Sequence, residues 1–152
     1  MDISGLINER LIDINMQATS QKEAIEKLAL LLEKEEKIES RDEFVKGVLE
    51  REKEATTGFG KGIAIPHCKL DSVKTASIAI GKLIEAVDWN SLDGEPVKLI
   101  IMLAVPDKEA NTTHLQILSN LASKLMEEDF VKDLLNANNS KKIISLLNFE
   151  NE

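Results

Sequence analysis

Two histidines are the residues of this sequence best suited to chemistry, because a neutral imidazole offers a nucleophilic lone pair near pH 7. His67 directly follows the apolar run 63–65 and Pro66, so we expect it at the end of a short buried strand that Pro66 stops. Strand ends are favoured site positions in α/β folds, and the glycines at 58, 60 and 62 lie just upstream, where backbone amides can face an anion. His67 is therefore a candidate nucleophile, although a loop histidine without chemistry fits the same pattern.

The second histidine, His114, lies at the start of a predicted helix over 113–126. Free amides and the positive dipole end at a helix start can hold a phosphoryl group, and the same dipole disfavours an imidazolium. Taken alone, His114 fits an ordinary surface histidine better than a functional one. Phosphoryl chemistry would require that the fold bring His67 and His114 together.

Other residue patterns that could form a functional site fit the sequence less well. The segment 58–62 lacks the Gly-Lys-Ser/Thr ending that a nucleotide-binding loop needs, and a strand rather than a helix follows it, so a turn is the better account. His67 and Cys68 are adjacent, a poor geometry for chelation, and no Cys-x-x-Cys occurs, so we predict no metal site. Cys68 is also disfavoured as a nucleophile paired with His67, since neighbours on an extended chain point to opposite sides. Arg51 could be a solvated charge at a helix end or a cation that faces the site.

Composition excludes several classes of function. The net charge of −8 and an aromatic content of 3% argue against nucleic-acid binding, which needs basic faces and stacking platforms. A single cysteine fits a reducing compartment, and the first ten residues do not form a signal peptide. The longest apolar stretch, 99–105, is too short to span a bilayer. We therefore expect a cytoplasmic protein that is not inserted in a membrane.

Hydrophobic periodicity and capping signals predict the elements that must position the histidines. The segment 97–105 is almost continuously apolar, which predicts a central strand buried on both faces. The other predicted elements are an edge strand near 11–14, a helix with Ser20 as cap, a helix with Ser40 as cap that ends near Arg51, strands at 63–66 and 77–83, the helix 113–126 with 111–113 as cap candidates, and short helices at 129–135 and 141–147, the last with Ser140 as cap. This order favours a single α/β domain over 1–152, a three-layer sandwich in which a mixed β-sheet is flanked by helices on both faces.

Several segments together resemble one known family. They are Arg51-Glu52, Thr57-Gly58-Phe59-Gly60, Gly62-Ile63-Ala64-Ile65-Pro66-His67, Val87-Asp88-Trp89-Asn90-Ser91-Leu92-Asp93-Gly94-Glu95-Pro96-Val97, Met102-Leu103-Ala104-Val105-Pro106, Thr113-His114-Leu115-Gln116 and Lys124-Leu125-Met126. In this order and spacing the chain is similar, over nearly its whole length, to the enzyme IIA family of the phosphoenolpyruvate-dependent sugar phosphotransferase system, fructose–mannitol class. The stretch 88–94 is closer to fructose-type members.

The resemblance implies a role for each matched residue. His67 would accept a phosphoryl group from the phosphorylated carrier protein HPr and pass it to a cysteine of enzyme IIB. His114 would support the phosphorylated form, Arg51 would belong to the site environment, and Thr57 and Gly58 would form the loop beside the site. The family's IIA proteins contact other proteins rather than the sugar and need no cofactor. Cys68 departs from the small residue common at that position.

Two alternatives to sugar transport stay open at this point. A regulatory phosphorylation sensor of the same fold, as in the nitrogen-related branch, would use the same His67 but act by protein binding. A plain binding module with an unreactive His67 is a third possibility. The fructose-like segment around Trp89 favours transport.

Overall fold

The computed structural model describes residues 3, 5–109, 112 and 114–149. The helices are α1 (Gln21–Lys34), α2 (Arg41–Glu54), α3 (Leu115–Leu125), α4 (Glu128–Asn136) and α5 (Ser140–Leu147), with short 3-10 turns at Glu9–Leu11 and Asp107–Glu109. The strands are β1 (Ile12–Met16), β2 (Gly58–Gly60), β3 (Ile63–Ala64), β4 (His67–Leu70), β5 (Ser77–Val87) and β6 (Val97–Pro106).

The six strands form one mixed sheet around β6. The order is β1-β5-β6-β3-β2, with β4 also paired to β6. Strand β6 runs antiparallel to β5 and parallel to β3 and β4, whereas β1 is a parallel edge strand beside β5. Both faces of β6 are buried over almost its whole length, which confirms the prediction of a central strand from the unbroken apolar run.

Strands β3 and β4 pair one after the other with the same edge of β6, separated by a break at Ile65 and Pro66. Ile63 pairs with Leu99 and His67 pairs with Leu103, so the register is the same on both sides of the break. The carbonyl of Pro66 accepts from the amide of Leu103 at 3.0 Å. This bond maintains the pairing with β6 across the break, although Pro66 itself has no amide to donate. Pro66 does lie beyond the end of a strand, since β3 ends at Ala64, but the sequence did not predict that His67 begins a further strand, β4.

Helices cover both faces of the sheet. A side chain at Gly81 of β5 would meet Leu28 of α1, whereas its neighbour Lys82 donates from Nζ to the carbonyl of Ala137, just after α4, at 2.6 Å. Because successive strand residues point to opposite faces, α1 and the end of α4 lie on opposite sides of the sheet. The predicted sandwich of helices, mixed sheet and helices is confirmed.

Helix ends account for the other differences from the predicted elements. Ser20 and Ser40 cap α1 and α2 as predicted, each accepting from the amide three residues on. Helix α2 continues one turn beyond Arg51, because the helix formers of residues 52–54 extend it. The cap of α5 is Asn139 rather than Ser140. Asn111 and Thr113, two of the predicted cap candidates for α3, lie outside the described residues.

Within the part of the chain that the structure describes, no helix is both long and apolar enough to cross a membrane.

Candidate functional site

A hydrogen bond to the backbone fixes the ring of His67. Its Nδ1 lies 3.0 Å from the carbonyl oxygen of Ile65, two residues upstream in the break between β3 and β4. A carbonyl oxygen can only accept, so Nδ1 must carry the proton and donate. The other nitrogen, Nε2, is then unprotonated in the neutral ring. The structure therefore defines the tautomer of His67 and leaves its lone pair on Nε2.

The fold brings the two histidines together. The ring centroids of His67 and His114 are 4.8 Å apart, with the ring planes inclined at 54°. His114 immediately precedes α3, and the residue is 9% exposed. Its Nε2 is buried and has no hydrogen-bond partner among the described residues. A buried polar atom of this kind is uncommon, and here it lies in the ring beside His67, where a bound anion could use it.

Both rings are held in their neutral form. Burial lowers the pKa of His67 below its usual range, and the charges of Arg51 and Lys69 lower it further. The hydrogen bond from Nδ1 to the Ile65 carbonyl and the charge of Glu54 act in the opposite direction. Burial also lowers the pKa of His114 to about 4, helped by His67, Lys69 and Arg51. At neutral pH the site therefore contains two uncharged imidazoles, which is the state that a nucleophilic nitrogen requires.

Arg51 lies beside His67, in the last turn of α2. Its Nη1 donates to the carbonyl of Ala55 at 2.9 Å, and its Nε lies 3.8 Å from the carboxylate of Glu54. The side chain is 33% exposed, so an arriving anion could compete for the guanidinium. Arg51 is both a partly exposed charge in the last turn of α2 and a cation of the site, so it combines the two alternatives that the sequence left open.

The loop of Thr57 and Gly58 borders the site, but the Thr57 hydroxyl is fully engaged elsewhere. It donates to Glu52 and accepts from the indole Nε1 of Trp89 at 3.3 Å. Gly58 lies against Ser91, and a Cβ at Gly58 would come within 2.8 Å of the Cα of Ser91. Gly58 is thus required for close backbone approach, whereas Thr57 fixes the loop.

Two open clefts meet at His67 and Arg51, with different chemistry on each side. One, of about 430 Å³, contains most of the charged side chains of the site and the second histidine: Glu50, Glu54, Lys69 and His114. The other, of about 390 Å³, is largely apolar and includes Phe59, Ile65, Leu92, Leu115 and Leu118. Leu92 is 77% exposed and Leu115 is 61% exposed, so the apolar rim is open to solvent next to His67. Phe59 is part of this apolar rim.

Cys68 lies on the other face of β4 from His67. Its Sγ would come within 2.5 Å of a Cβ at Gly47 in α2, so the thiol points into the layer between the sheet and that helix. Burial raises the pKa of the Cys68 thiol to about 12, with the charges of Glu43 and Glu50 adding to the effect. The thiol is neither a nucleophile nor a ligand for the site of His67. No group of three or more metal-binding side chains occurs among the residues that the structure describes.

Comparison with known proteins identifies the family. Residues 5–150 match the family model described as the phosphoenolpyruvate-dependent sugar phosphotransferase system, EIIA 2. The chain belongs to this family. The resemblance seen in the sequence motifs is thereby confirmed, and the mixed sheet with helices on both faces is the fold of EIIA proteins of known structure.

Relatives of this EIIA chain include both transport and regulatory proteins. The PTS system fructose-specific EIIABC component of Bacillus subtilis (strain 168) is 38% identical over 148 residues, which are 97% of this chain and 23% of that protein. The fructose-specific EIIA component of Haloferax volcanii is 38% identical over 146 residues, 96% of this chain and 94% of the relative. The structure of nitrogen regulatory protein IIA-Ntr from Neisseria meningitidis has a TM-score of 0.85 at 34% identity, covering 92% of this chain and 94% of that one.

The sequence of this EIIA chain predicted the two histidines, but not the carboxylates and the lysine around them. Glu54 was missed because the helix was expected to end near Arg51, and one further turn places it beside that arginine. Lys69 lies two residues after His67, so it shares the same face of β4. The strand period of two would have found Lys69 if His67 had been placed within a strand.

Proposed function

We propose that this EIIA chain carries a phosphoryl group on Nε2 of His67, received from the phosphohistidine of HPr and passed to a cysteine of enzyme IIB. The observation that carries the proposal is the hydrogen bond from Nδ1 to the Ile65 carbonyl, which leaves Nε2 as the free nucleophile beside the ring of His114. The chain would act as one EIIA domain over 1–152, on the cytoplasmic side of a sugar-uptake system.

The transfer needs no cofactor because the P–N bond of the donor already holds the energy. The Nε2 lone pair attacks phosphorus in line, the P–N bond of phospho-HPr breaks, and its electron pair returns to the donor imidazole. The proton stays on Nδ1 throughout, where it is donated to the Ile65 carbonyl in a hydrogen bond. In the second half-reaction a thiolate of IIB attacks phosphorus, and the Nε2–P bond breaks to regenerate the neutral ring.

His114 and Arg51 are the proposed donors to the phosphoryl oxygens. The unpartnered Nε2 of His114, if it carries that ring's proton, can donate without any other bond being broken. Arg51 would exchange its bond to the Ala55 carbonyl for a charge-assisted one to phosphate. Thr57 and Gly58 would act as the loop that holds the site in place.

Fructose transport is the specific role that the relatives favour. Both fructose-specific relatives share 38% identity with this chain, and the name EIIABC places an EIIA and an EIIB part in one polypeptide. The similarity to IIA-Ntr keeps a regulatory role as the second candidate, since such a protein would use the same histidine. The apolar rim beside His67 suits protein partners.

The test is phosphoryl transfer from phosphoenolpyruvate through enzyme I and HPr to the wild-type chain and to His67→Gln and His114→Gln. We expect no label on His67→Gln, because it lacks the acceptor, although its fold survives. His114→Gln should accept the label but pass it on at least about tenfold more slowly, since one donor to the developing charge is lost. Retained labelling of His67→Gln, or wild-type rates of both half-reactions in His114→Gln, would contradict these assignments.

A chase with the acceptor protein separates transport from regulation. Addition of a fructose-type IIB to the labelled chain should move the phosphoryl group to the IIB cysteine within seconds. If the label stays on the chain under these conditions, the transport role is wrong and the regulatory one is favoured.

A further inference from the structure

The carboxylate of Glu52 holds the loop beside the site by accepting hydrogen bonds from Thr57 and Gln21. This carboxylate, half-buried in the last turn of α2, accepts from the amide of Thr57 at 3.0 Å and from the Thr57 hydroxyl. The amide of Gln21 in α1 approaches the same carboxylate at 3.4 Å. One side chain thus fixes both the backbone and the side chain of Thr57, with bonds of the charge-assisted kind.

A continuous series of bonds leads from this carboxylate to the ring of His67. The carbonyl of Thr57 accepts from the amide of Ile65 at 3.0 Å. The carbonyl of Ile65 in turn accepts from Nδ1 of His67 at 3.0 Å. The position of the Ile65 peptide, and with it the acceptor that defines the tautomer, therefore depends on where Glu52 holds Thr57.

We propose that Glu52 is a positioning residue for phosphoryl transfer, which keeps the proton of His67 on Nδ1 by holding Thr57 and, through it, the Ile65 carbonyl. This inference rests on the proposed function of His67 as the phosphoryl acceptor. Glu52 touches neither the ring nor the place of the phosphoryl group, so its role is indirect.

The effect of Glu52 is geometric rather than electrostatic. The charges that act on His67 are those of Arg51, Glu54 and Lys69, with the ring of His114 facing it from α3. Glu52 is directed instead at the loop, and its negative charge is matched by the donors that surround it. Loss of Glu52 should therefore change the tautomer of His67 without adding a charge to its surroundings.

The first measurement determines the tautomer of His67 in the unphosphorylated protein, by NMR of ¹⁵N-labelled histidine. Wild type should show His67 as the Nδ1–H form. Glu52→Gln, which has the same shape but cannot accept on both atoms, and Thr57→Val should show a mixture of both tautomers. Thr57→Ser retains the hydroxyl and should recover most of the Nδ1–H form, and the exposed Glu26→Gln on α1 should match wild type.

The second measurement is the rate of phosphorylation by phospho-HPr in the same variants. Glu52→Gln and Thr57→Val should be slower by about ten- to a hundredfold, as expected when a nucleophile is misplaced by a fraction of an ångström to an ångström. Thr57→Ser should be faster than Thr57→Val, and Glu26→Gln should be unchanged. Wild-type tautomer in both Glu52→Gln and Thr57→Val, or a rate loss without a tautomer change, would overturn the proposal. The tautomer is measured without phospho-HPr. A chain that accepts no phosphoryl group would therefore refute the proposed function but leave the tautomer measurement unaffected.

Discussion

Two neighbouring residues, His67 and Cys68, have opposite chemistry because they lie on opposite faces of one strand. The ring of His67 lies against that of His114, whereas the Sγ of Cys68 packs against Gly47 of α2. The imidazole is neutral and nucleophilic at neutral pH, while the thiol is protonated and buried. The thiol of Cys68 therefore does not compete with the imidazole of His67 for a phosphoryl group.

We predict that Cys68 of the native protein does not react with iodoacetamide at pH 8. Alkylation requires the thiolate, and a pKa of about 12 leaves almost none at that pH. The thiol should react promptly once the protein is unfolded in urea, which serves as the control. Rapid modification of the native protein, followed by mass spectrometry, would contradict the burial and the protonation state assigned to Cys68.

At the residue scale the sequence singled out the two histidines that the fold brings together, but not how their rings are held. His67 and His114 could be singled out because the chain has only two histidines and each adjoins a structural boundary. The tautomer of His67 could not be predicted, because it depends on the direction of a backbone carbonyl, which follows from the break at Ile65 and Pro66. The contribution of Glu52 depends on a loop conformation that propensities do not encode.

At the scale of elements, the site depends on the close approach of α2 to β4. Gly47 lies in the interior of α2, where glycine costs about 1 kcal/mol relative to alanine. The structure explains its presence, because a Cβ there would come 2.5 Å from Sγ of Cys68. The same approach brings Arg51, one turn later in α2, beside His67.

We predict strong coupling between Gly47 and Cys68 in a double-mutant cycle. Gly47→Ala alone should lower the free energy of unfolding by about 1–3 kcal/mol through overpacking. In a Cys68→Ala background the same change should be neutral or stabilising, since the sulfur is gone and helix propensity favours alanine. Urea unfolding measures all four proteins, and additive effects of the two substitutions would contradict the packing described. Gly5→Ala, where no atom lies within 4 Å of the new Cβ, is the control that should not couple.

Element types followed from the sequence more reliably than their ends. The serine caps of α1 and α2 and the apolar run of β6 are local signals, and all three elements formed where expected. The interruption at Pro66 was taken as an end because a proline lacks the amide that a strand uses. Beyond Pro66 the pairing with β6 resumes, because His67 pairs with Leu103. Such long-range pairing has no signal in the local sequence.

At the scale of the whole molecule, two buried neutral histidines link the site to the stability of the fold. Burial lowers the pKa of both rings, that of His114 to about 4 from an ordinary 6.5. The unfolded chain therefore binds protons below about pH 6.5 that the folded chain does not bind until lower pH. Folding must lose stability as the pH falls through this range.

We predict that His114→Gln reduces this acid sensitivity. Between pH 7 and pH 4.5 the wild-type free energy of unfolding should fall more than that of the variant, because the variant has no ring to protonate on unfolding. The comparison is made by urea unfolding at several pH values, so that protonation of carboxylates affects both proteins alike. Parallel pH profiles would show that His114 is not held neutral by burial.

The most direct test of the central claim is to identify the atom that carries the phosphoryl group. The chain, labelled with ¹⁵N-histidine, is phosphorylated by phosphoenolpyruvate, enzyme I and HPr, and the nitrogen bonded to phosphorus is identified by NMR. The tautomer in the structure predicts Nε2 of His67, with Nδ1 still protonated and bonded to the Ile65 carbonyl. Phosphorus on Nδ1 of His67, on His114, or on no histidine would contradict the account.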